Sequence, residues 1–352
     1  MIRSVINQEA LDRLFQLLDQ ADNVVLTCHR SPDGDALGSV LALRRVLAQL
    51  GKNANVVIPD RYPATLAFLP TVNQIITFVE ASKQPVVERL LDQAQLIFCL
   101  DFNSMQRIDT LGPLISNAKA PKVLIDHHER PEPVFDLCFS YPEMSSTCEL
   151  VYRILMQSRM LPLIDKPVAI CLYVGMMTDT GNFTYSCEDP DLYEIQASLM
   201  RRKINKQQLF AQAMNTFSEH SLRLQGYALD RKMTIHQPQG VAVITLDQEE
   251  LLRYKYQRGD TEGLVNRPLS MPAVRCSIFV RQDPEIVKIS CRSKGDLDVS
   301  RICSRYFGGG GHINAAGGDF KGTIQQALHI IEHEIIPELT PTETQSTTIP
   351  NE

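Results

Sequence analysis

Through the first half of the chain, short apolar or β-branched runs alternate with segments whose apolar positions recur at helical spacing. Asn23 to Cys28, Asn55 to Ile58, Leu96 to Leu100 and Val123 to Ile125 are runs of the first kind. Gln8 to Ala21, with Leu11, Leu14, Phe15, Leu17 and Leu18 on one face, and Asp35 to Leu50, stopped by Gly51, are segments of the second. Buried runs followed by helical patterns indicate strands covered on both faces of a parallel sheet, joined by crossover helices. The alternation continues to about Gln157, so repeated βαβ units and an α/β fold are expected.

From about Asp189 the strands stop. Asp191 to Arg202, Gln207 to Met214 and Glu219 to Arg231 read as helices, and the stretch 189–231 is expected to be a helical linker. Strands return at Lys232 to His236, Gly240 to Leu246, Ala273 to Arg281 and Glu285 to Arg292, with turn chemistry at Gln237-Pro238-Gln239-Gly240 and Gln282-Asp283-Pro284. Such turns join antiparallel neighbours, so a second, smaller α/β domain at 232–338 should carry a mixed sheet. The expected organisation is a parallel-sheet domain at 1–188, the linker, the smaller domain, and a polar tail at 339–352, rich in Thr and Pro and expected to be disordered.

Polar residues at the ends of the apolar runs carry the candidate chemistry. His29-Arg30-Ser31-Pro32-Asp33-Gly34-Asp35 follows the first run, Asp101 follows Leu100, and Asp126-His127-His128 follows Ile125. A fourth segment, Ala169 to Gly181, is apolar at helical spacing and ends in Thr178-Asp179-Thr180-Gly181. Each fragment alone has an ordinary structural meaning: Pro-Asp-Gly-Asp is turn and cap chemistry, Asp101 suits a cap, and Asp179 suits a helix end with Gly181 as its stop. Their shared placement at element ends changes that, because ligands of parallel sheets bind outside the carboxyl ends of the strands. Two imidazoles and four carboxylates exceed the needs of one divalent ion. They suit two hard, six-coordinate ions sharing a carboxylate, with manganese or magnesium as natural candidates. Two ions about 3.5 to 4 Å apart serve in-line displacement at phosphorus. No Cys stands among these positions, which argues against structural zinc.

Composition narrows the substrates. The chain has 352 residues, enough for two ordinary domains, and a formal net charge of −6. An acidic protein has no general nucleic-acid-coating surface, so a short anionic substrate gripped locally is favoured over long RNA or DNA. Nine Cys, mostly inside apolar runs (Cys28, Cys99, Cys171, Cys276, Cys291) and without a Cys-x-x-Cys pair, fit buried thiols in a reducing compartment. No apolar stretch approaches the about 18 to 20 uncharged residues of a membrane helix, and Met1-Ile2-Arg3-Ser4 leads into an amphipathic helix rather than a signal peptide. A cytoplasmic protein with no membrane partner is expected.

In the second domain Gly308-Gly309-Gly310-Gly311-His312 follows a helix read over Asp298 to Phe307. Four glycines could be a mere flexible loop. Beside a His, they also let backbone N–H groups approach an anion or base closely, and Arg292, in Ser290-Cys291-Arg292-Ser293, can offer a planar fork to phosphate oxygens. Between Arg275 and Arg305 seven basic residues face four acidic ones, a local net of +3.

On these motifs the chain resembles the DHH phosphoesterase superfamily: His29, Asp33, Asp35, Asp101, Asp126-His127-His128 and Asp179 fall on its four motifs in order. Gly308 to His312, then Ala315-Ala316-Gly317-Gly318, resembles the glycine-rich signature of the DHH-associated substrate domain. The resemblance spans roughly residues 5 to 335 and is strongest, within the superfamily, to NrnA-type oligoribonucleases, which are also pAp phosphatases. It implies a doubly wound DHH domain with the active site in the cleft between the two domains. It also implies a metal set of His29, Asp33 and Asp101 for one ion and Asp35, Asp101, His127 and Asp179 for the other. Asp101, Asp126 and His128 are then catalytic, with His128 on the phosphoryl group or leaving oxygen and Asp126 fixing an imidazole. The substrate-binding role passes to Arg292, Gly309, Gly310 and His312.

The implied cofactors are two divalent cations, manganese first and magnesium or cobalt as alternatives. The implied activity is hydrolysis of di- to pentanucleotides of RNA to mononucleotides and of 3′-phosphoadenosine 5′-phosphate (pAp) to AMP. The rival inside the superfamily is a phosphodiesterase for cyclic or linear dinucleotide messengers such as c-di-AMP and pApA. A rival from another class is a non-catalytic nucleotide-binding module, whose mark would be a missing ligand, and none is missing. A homodimer is a family-level expectation. Phe102-Asn103, bulkier than the small residues expected after the shared Asp, is expected to reshape the first-domain side of the pocket.

Overall fold

The strand pattern of the first half folds into one parallel sheet. The computed structural model describes residues 2–339 and divides into two units, the first ending at Thr216 and the second beginning at Phe217. In the first unit the strands are β1 (Asn23–Cys28), β2 (Asn53–Ile58), β3 (Ile76–Thr77), β4 (Leu96–Leu100), β5 (Lys122–Asp126) and β6 (Leu137–Ser140). The helices are α1 (Gln8–Gln20), α2 (Gly34–Gln49), α3 (Gln84–Gln93), α4 (Gly112–Asn117), α5 (Thr147–Gln157), α6 (Lys166–Asp179), α7 (Pro190–Met200) and α8 (Lys206–Met214).

The sheet runs β3-β2-β1-β4-β5-β6, parallel throughout. The chain winds outward from β1 to β3, then returns to β4 on the other side of β1. That reversal leaves a crevice at the carboxyl ends of β1 and β4, the place where open α/β sheets hold ligands. The alternation of side chains explains the helices on both faces. Val24, Leu26 and Cys28 pack with α1, α2, α5 and α6, whereas Val25, Ile97, Cys99 and Leu124 pack with α3 and α4. α2 is apolar nearly all round because it is buried between the sheet and α6, and it starts where the Asp33 side chain accepts N–H bonds from Asp35 and Ala36.

The stretch read as a helical linker is helical, in three pieces divided between the units. Leu192, Ile195, Leu199 and Leu209 of α7 and α8 join the first core. In the second unit α9 (Glu219–Arg231) lays Leu224 and Ala228 on the second sheet. The tail expected at 339–352 lies, from residue 340 onward, outside the described residues.

The second unit holds β7 (Met233–His236), β8 (Val241–Leu246), α10 (Gln248–Arg253), β9 (Cys276–Gln282), β10 (Val287–Ser293), α11 (Val299–Phe307), β11 (Gly310–His312), β12 (Ala315–Phe320) and α12 (Ile324–Ile330). Its sheet runs β11-β12-β10-β9-β8-β7 and is mixed, with β8 and β9 parallel and every other pair antiparallel. One face packs Ile278, Val280, Ile289 and Cys291 with α11 and α12. The other is covered at Ile244, Leu246 and Phe279 by α9 and α10.

The glycine run is not the loop that the sequence suggested. Gly308 caps α11 with φ +60°, and Gly310 and Gly311 lie in β11, hydrogen-bonded to β12. The cause is close backbone approach: a Cβ on Gly309 would overlap the carbonyl oxygen of Gly317, so only glycine lets the two strands sit together.

Candidate metal centre

Four connections bring the acid-bearing segments to one rim of the first unit. The β1–α2 loop carries His29 and Asp33, with Asp35 in the first turn of α2. Asp101 leaves β4, Asp126 ends β5 with His127 and His128 after it, and Asp179 is the last residue of α6. Asp101 has φ +64°, a left-handed backbone that costs a non-glycine residue energy and aims its side chain across the rim. Its own N–H still bonds to Ile125, so the strand ladder reaches it.

Two imidazoles converge on that carboxylate from opposite sides. His29 Nε2 lies 3.4 Å from Asp101 Oδ2 and 3.7 Å from Asp33 Oδ2. His127 Nε2 lies 3.6 Å from Asp101 Oδ1 and 3.4 Å from Asp179 Oδ2. Both rings are anchored by the other nitrogen. His29 Nδ1–H donates to the Arg30 carbonyl at 2.8 Å, and His127 Nδ1–H to the Met144 carbonyl at 3.2 Å. Since a carbonyl only accepts, each bond fixes Nε2 as the atom turned toward the carboxylates, the arrangement usual for metal-binding histidines. His128 is held differently: its Nδ1–H donates to Asp126 Oδ1 at 2.7 Å, and Asp101 Oδ1 lies 3.9 Å away.

The electrostatics of this rim call for cations. Burial opposes protonation of His29 and His127, yet the surrounding carboxylates outweigh it and push them up to about 10 and about 9. Burial pushes Asp35 up, with Asp101 and Asp179 adding to it, and pushes Asp179 up to about 7 against the pull of His127. Asp101 goes the other way, because its three imidazole neighbours overcome burial and hold it below the usual carboxylate range.

A divalent metal fits these residues on two observations. His29 Nε2 is a buried nitrogen without a hydrogen-bond partner, at 3.4 to 3.7 Å from two oxygens, and Asp126 Oδ2 is likewise buried without one. Donor atoms of His29, Asp33 and Asp101 lie within 4.8 Å of one another, and so do those of Asp35, Asp101 and His127, so two donor groups share Asp101. Oxygen-rich sets of this kind suit hard divalent ions.

All eight rim residues named from the sequence therefore gather in the first unit. Arg292, Gly309, Gly310 and His312 lie in the second, at the end of β10, at the α11–β11 junction and on β11. Phe102 does not reshape the pocket as expected: it is fully buried in the core beneath the sheet, edge-on to Phe135, while Asn103 donates to the Glu129 carbonyl at 2.7 Å and ties the β4 and β5 loops together. The sequence reading missed the start of α5. Thr147 and Cys148 donate backbone N–H bonds to Asp35, and Thr147 Oγ1 donates to Asp101. Ser146-Thr147-Cys148-Glu149 before an apolar run has the spacing of a helix start and could have drawn attention to it.

Residues 23–176 match the DHH family, N-terminal domain, and residues 239–336 match the DHHA1 domain. A bifunctional oligoribonuclease and PAP phosphatase, NrnA of Thermus thermophilus, is 30% identical over 321 residues, covering 90% of each chain. The cyclic-di-AMP phosphodiesterase PdeA of Listeria monocytogenes is 27% identical over 341 residues, and the chain spans 49% of its length. The crystal structure of an exopolyphosphatase-related protein from Bacteroides fragilis superposes with a TM-score of 0.91 at 38% identity, covering 97% of this chain and all of that one.

Proposed function

The chain belongs to the DHH family of phosphoesterases, and from that premise we propose that it hydrolyses di- to pentanucleotides of RNA to mononucleotides, and pAp to AMP, with two divalent cations, manganese first among them. The observation that carries the reading is the place of Asp101, shared by the His29–Asp33 and the Asp35–His127 donor groups. In this reading His29, Asp33 and Asp101 hold one ion, and Asp35, Asp101, His127 and Asp179 the other.

Ions so held would supply an activated water at neutral pH and neutralise the phosphoryl oxygens. The chain's residues do the remaining work. Asp126 holds the Nδ1–H of His128, so His128 can carry a proton at Nε2 to the leaving oxygen. Residues 1–188 form the catalytic domain, and 232–338, with Arg292, Gly309, Gly310 and His312, grip the rest of the nucleotide.

Short RNA and pAp are preferred as substrates because the Thermus relative matches over 90% of both chains and because a net charge of −6 disfavours a long polyanion. The second reading, hydrolysis of c-di-AMP or pApA, is favoured by the Listeria relative. A cytoplasmic setting belongs to the proposal and is supported by nine free thiols. Among the described residues no helix is long and apolar enough to cross a membrane.

Product analysis with manganese tests the substrate. The arms are 5′-phosphorylated di- to decanucleotides, pAp, c-di-AMP, pApA and a short polyphosphate. Cleavage that falls steeply beyond the pentanucleotide, together with AMP from pAp, supports the proposal. Turnover of c-di-AMP or polyphosphate alone would replace it, and no turnover of any would leave a binding module.

A further inference from the structure

α5 begins at the metal centre. Thr147, its first residue, donates from Oγ1 to Asp101 Oδ1 at 3.0 Å and from its backbone N–H to Asp35 Oδ2 at 2.6 Å. Cys148 N–H donates to the remaining Asp35 oxygen at 2.9 Å. One residue thus touches the carboxylate between the two imidazoles and the carboxylate at the head of α2, and all three residues are buried. A hydroxyl on a carboxylate oxygen occupies one lone-pair direction and sets the rotation of the group, which decides the directions left for an ion.

The helix start is itself fixed from behind. Ser146 Oγ accepts the Glu149 N–H at 3.1 Å, and Glu149 Oε2 accepts from Ser145 N–H at 2.9 Å and Ser145 Oγ at 2.6 Å. The other Glu149 oxygen takes Arg153 Nε at 2.7 Å, and the fully buried Arg153 reaches on to Asp189 at 3.2 Å and Asp191 at 3.4 Å. Those two carboxylates stand at the start of α7, the helix that follows Asp179 and its loop. Thr147 is therefore a fixed donor rather than a side chain free to follow the carboxylates.

We propose that Thr147 is a positioning residue of the metal centre, setting the orientation of the Asp101 carboxylate against Asp35 and so the spacing at which two ions share it. The inference rests on the metal-dependent reading above and assigns Thr147 no contact with substrate.

The test compares Thr147→Val, which removes the hydroxyl at nearly constant shape, with Thr147→Ser, which keeps it. Metal-free full-length protein is titrated with Mn2+ by calorimetry, and the spin coupling of a manganese pair is read by electron paramagnetic resonance. Thr147→Val is expected to weaken at least one manganese site by about 10- to 100-fold and to lose the coupled-pair signal at stoichiometric metal. Its kcat falls while KM for pAp stays within about twofold, and the metal-free protein remains folded, its unfolding temperature lowered only as the loss of one buried hydrogen bond lowers it. Thr147→Ser restores affinity and signal.

Wild-type affinity and coupling in Thr147→Val would overturn the proposal, and so would equal damage in Thr147→Ser, which would make the lost methyl the cause. If valine is not accommodated, Thr147→Ala against Thr147→Ser isolates the same hydroxyl. A wild type that takes up two manganese ions yet cleaves none of the substrates overturns the substrate reading alone, and the calorimetry still decides on Thr147. One that binds no divalent ion overturns both.

Discussion

Arg292 and His312 stand on one rung of the second sheet. Arg292 pairs with Ala315 across β10 and β12, and Ala315 pairs with His312 across β12 and β11. Directly opposed residues point to the same face, so both side chains leave one side of the sheet, two strand spacings or about 10 Å apart. The residue between them is an alanine, and Gly317 follows two positions on along β12, which leaves a shallow floor between two cationic or hydrogen-bonding groups.

The rung leads to a prediction about binding. Arg292→Ala together with His312→Ala is expected to raise KM for pAp and for dinucleotides steeply, each lost charged contact being worth about 1.5 to 3 kcal/mol. Hydrolysis of bis-p-nitrophenyl phosphate should stay near the wild-type rate, because that ester offers little for a remote residue to hold. Steady-state kinetics on both substrates decide it. Equal damage to both would place these residues in the chemistry, and no damage to either would remove them from the site.

Asp101 gives the sharpest test of a shared carboxylate. Asp101→Ala removes a donor from the His29–Asp33 and the Asp35–His127 groups at once, so turnover should fall by several orders of magnitude and metal content should fall with it. Activity above about a tenth of wild type in protein free of wild-type contamination would falsify the two-ion assignment.

The Asp126–His128 pair should behave differently. His128→Ala is expected to keep the wild-type metal content while turnover falls by about 10²- to 10⁴-fold, the range typical of a lost general acid. Asp126→Asn should fall in the same direction, since the 2.7 Å bond that orients the ring loses its charge. Elemental analysis of both variants is the check: a lost equivalent of metal in His128→Ala would make His128 a ligand.

The rim was legible in the sequence because its residues end apolar runs, and an Asp at or just after a strand's last residue, as Asp126 in β5 and Asp101 after β4, announces where the side chain must emerge. The strand order was legible only as alternation; nothing in the letters shows that β1 lies beside both β2 and β4. The start of α5 was hidden for another reason. Thr147 acts through its hydroxyl and Cys148 through its backbone N–H, and a backbone group has no residue type to read. The fate of Gly308 to Gly311 was hidden likewise, since a glycine strand and a glycine loop share a composition and differ only in whether Gly317 lies opposite.

The cysteines give a check on the reducing compartment. Seven of the nine are buried, and burial pushes the Cys171 and Cys276 thiols up to about 12, so they should react slowly in the native protein. Cys138 and Cys187 are accessible and should react first. Titration of protein alkylated at isolation and then unfolded without reductant is expected to find nearly all thiols free. A stable disulfide would overturn the cytoplasmic proposal.

The last prediction concerns how α2 and α6 are held at the rim. Gly34 sits between Asp33 and Asp35, and a Cβ there would collide with the Thr178 side chain, coming within 2.8 Å of Cγ2 and 3.0 Å of Cβ. Thr178 is pinned by its own hydroxyl, which lies 3.0 Å from the carbonyls of Val174 and Gly175, so it cannot swing away without losing those bonds. Gly34→Ala is therefore expected to cost about 1 to 3 kcal/mol of stability, the usual range for overpacking, and to weaken metal uptake by pushing Asp33 and Asp35 away from Asp179. Thr178→Ala removes the two nearest colliding atoms. Added to Gly34→Ala, it should recover much of the loss, with a favourable coupling of about 0.5 to 3 kcal/mol in a double-mutant cycle read by denaturant unfolding and manganese titration. If the two costs simply add, the contact at Gly34 does not set the spacing of the carboxylates, and the loop of His29 to Asp33 must be held by other means.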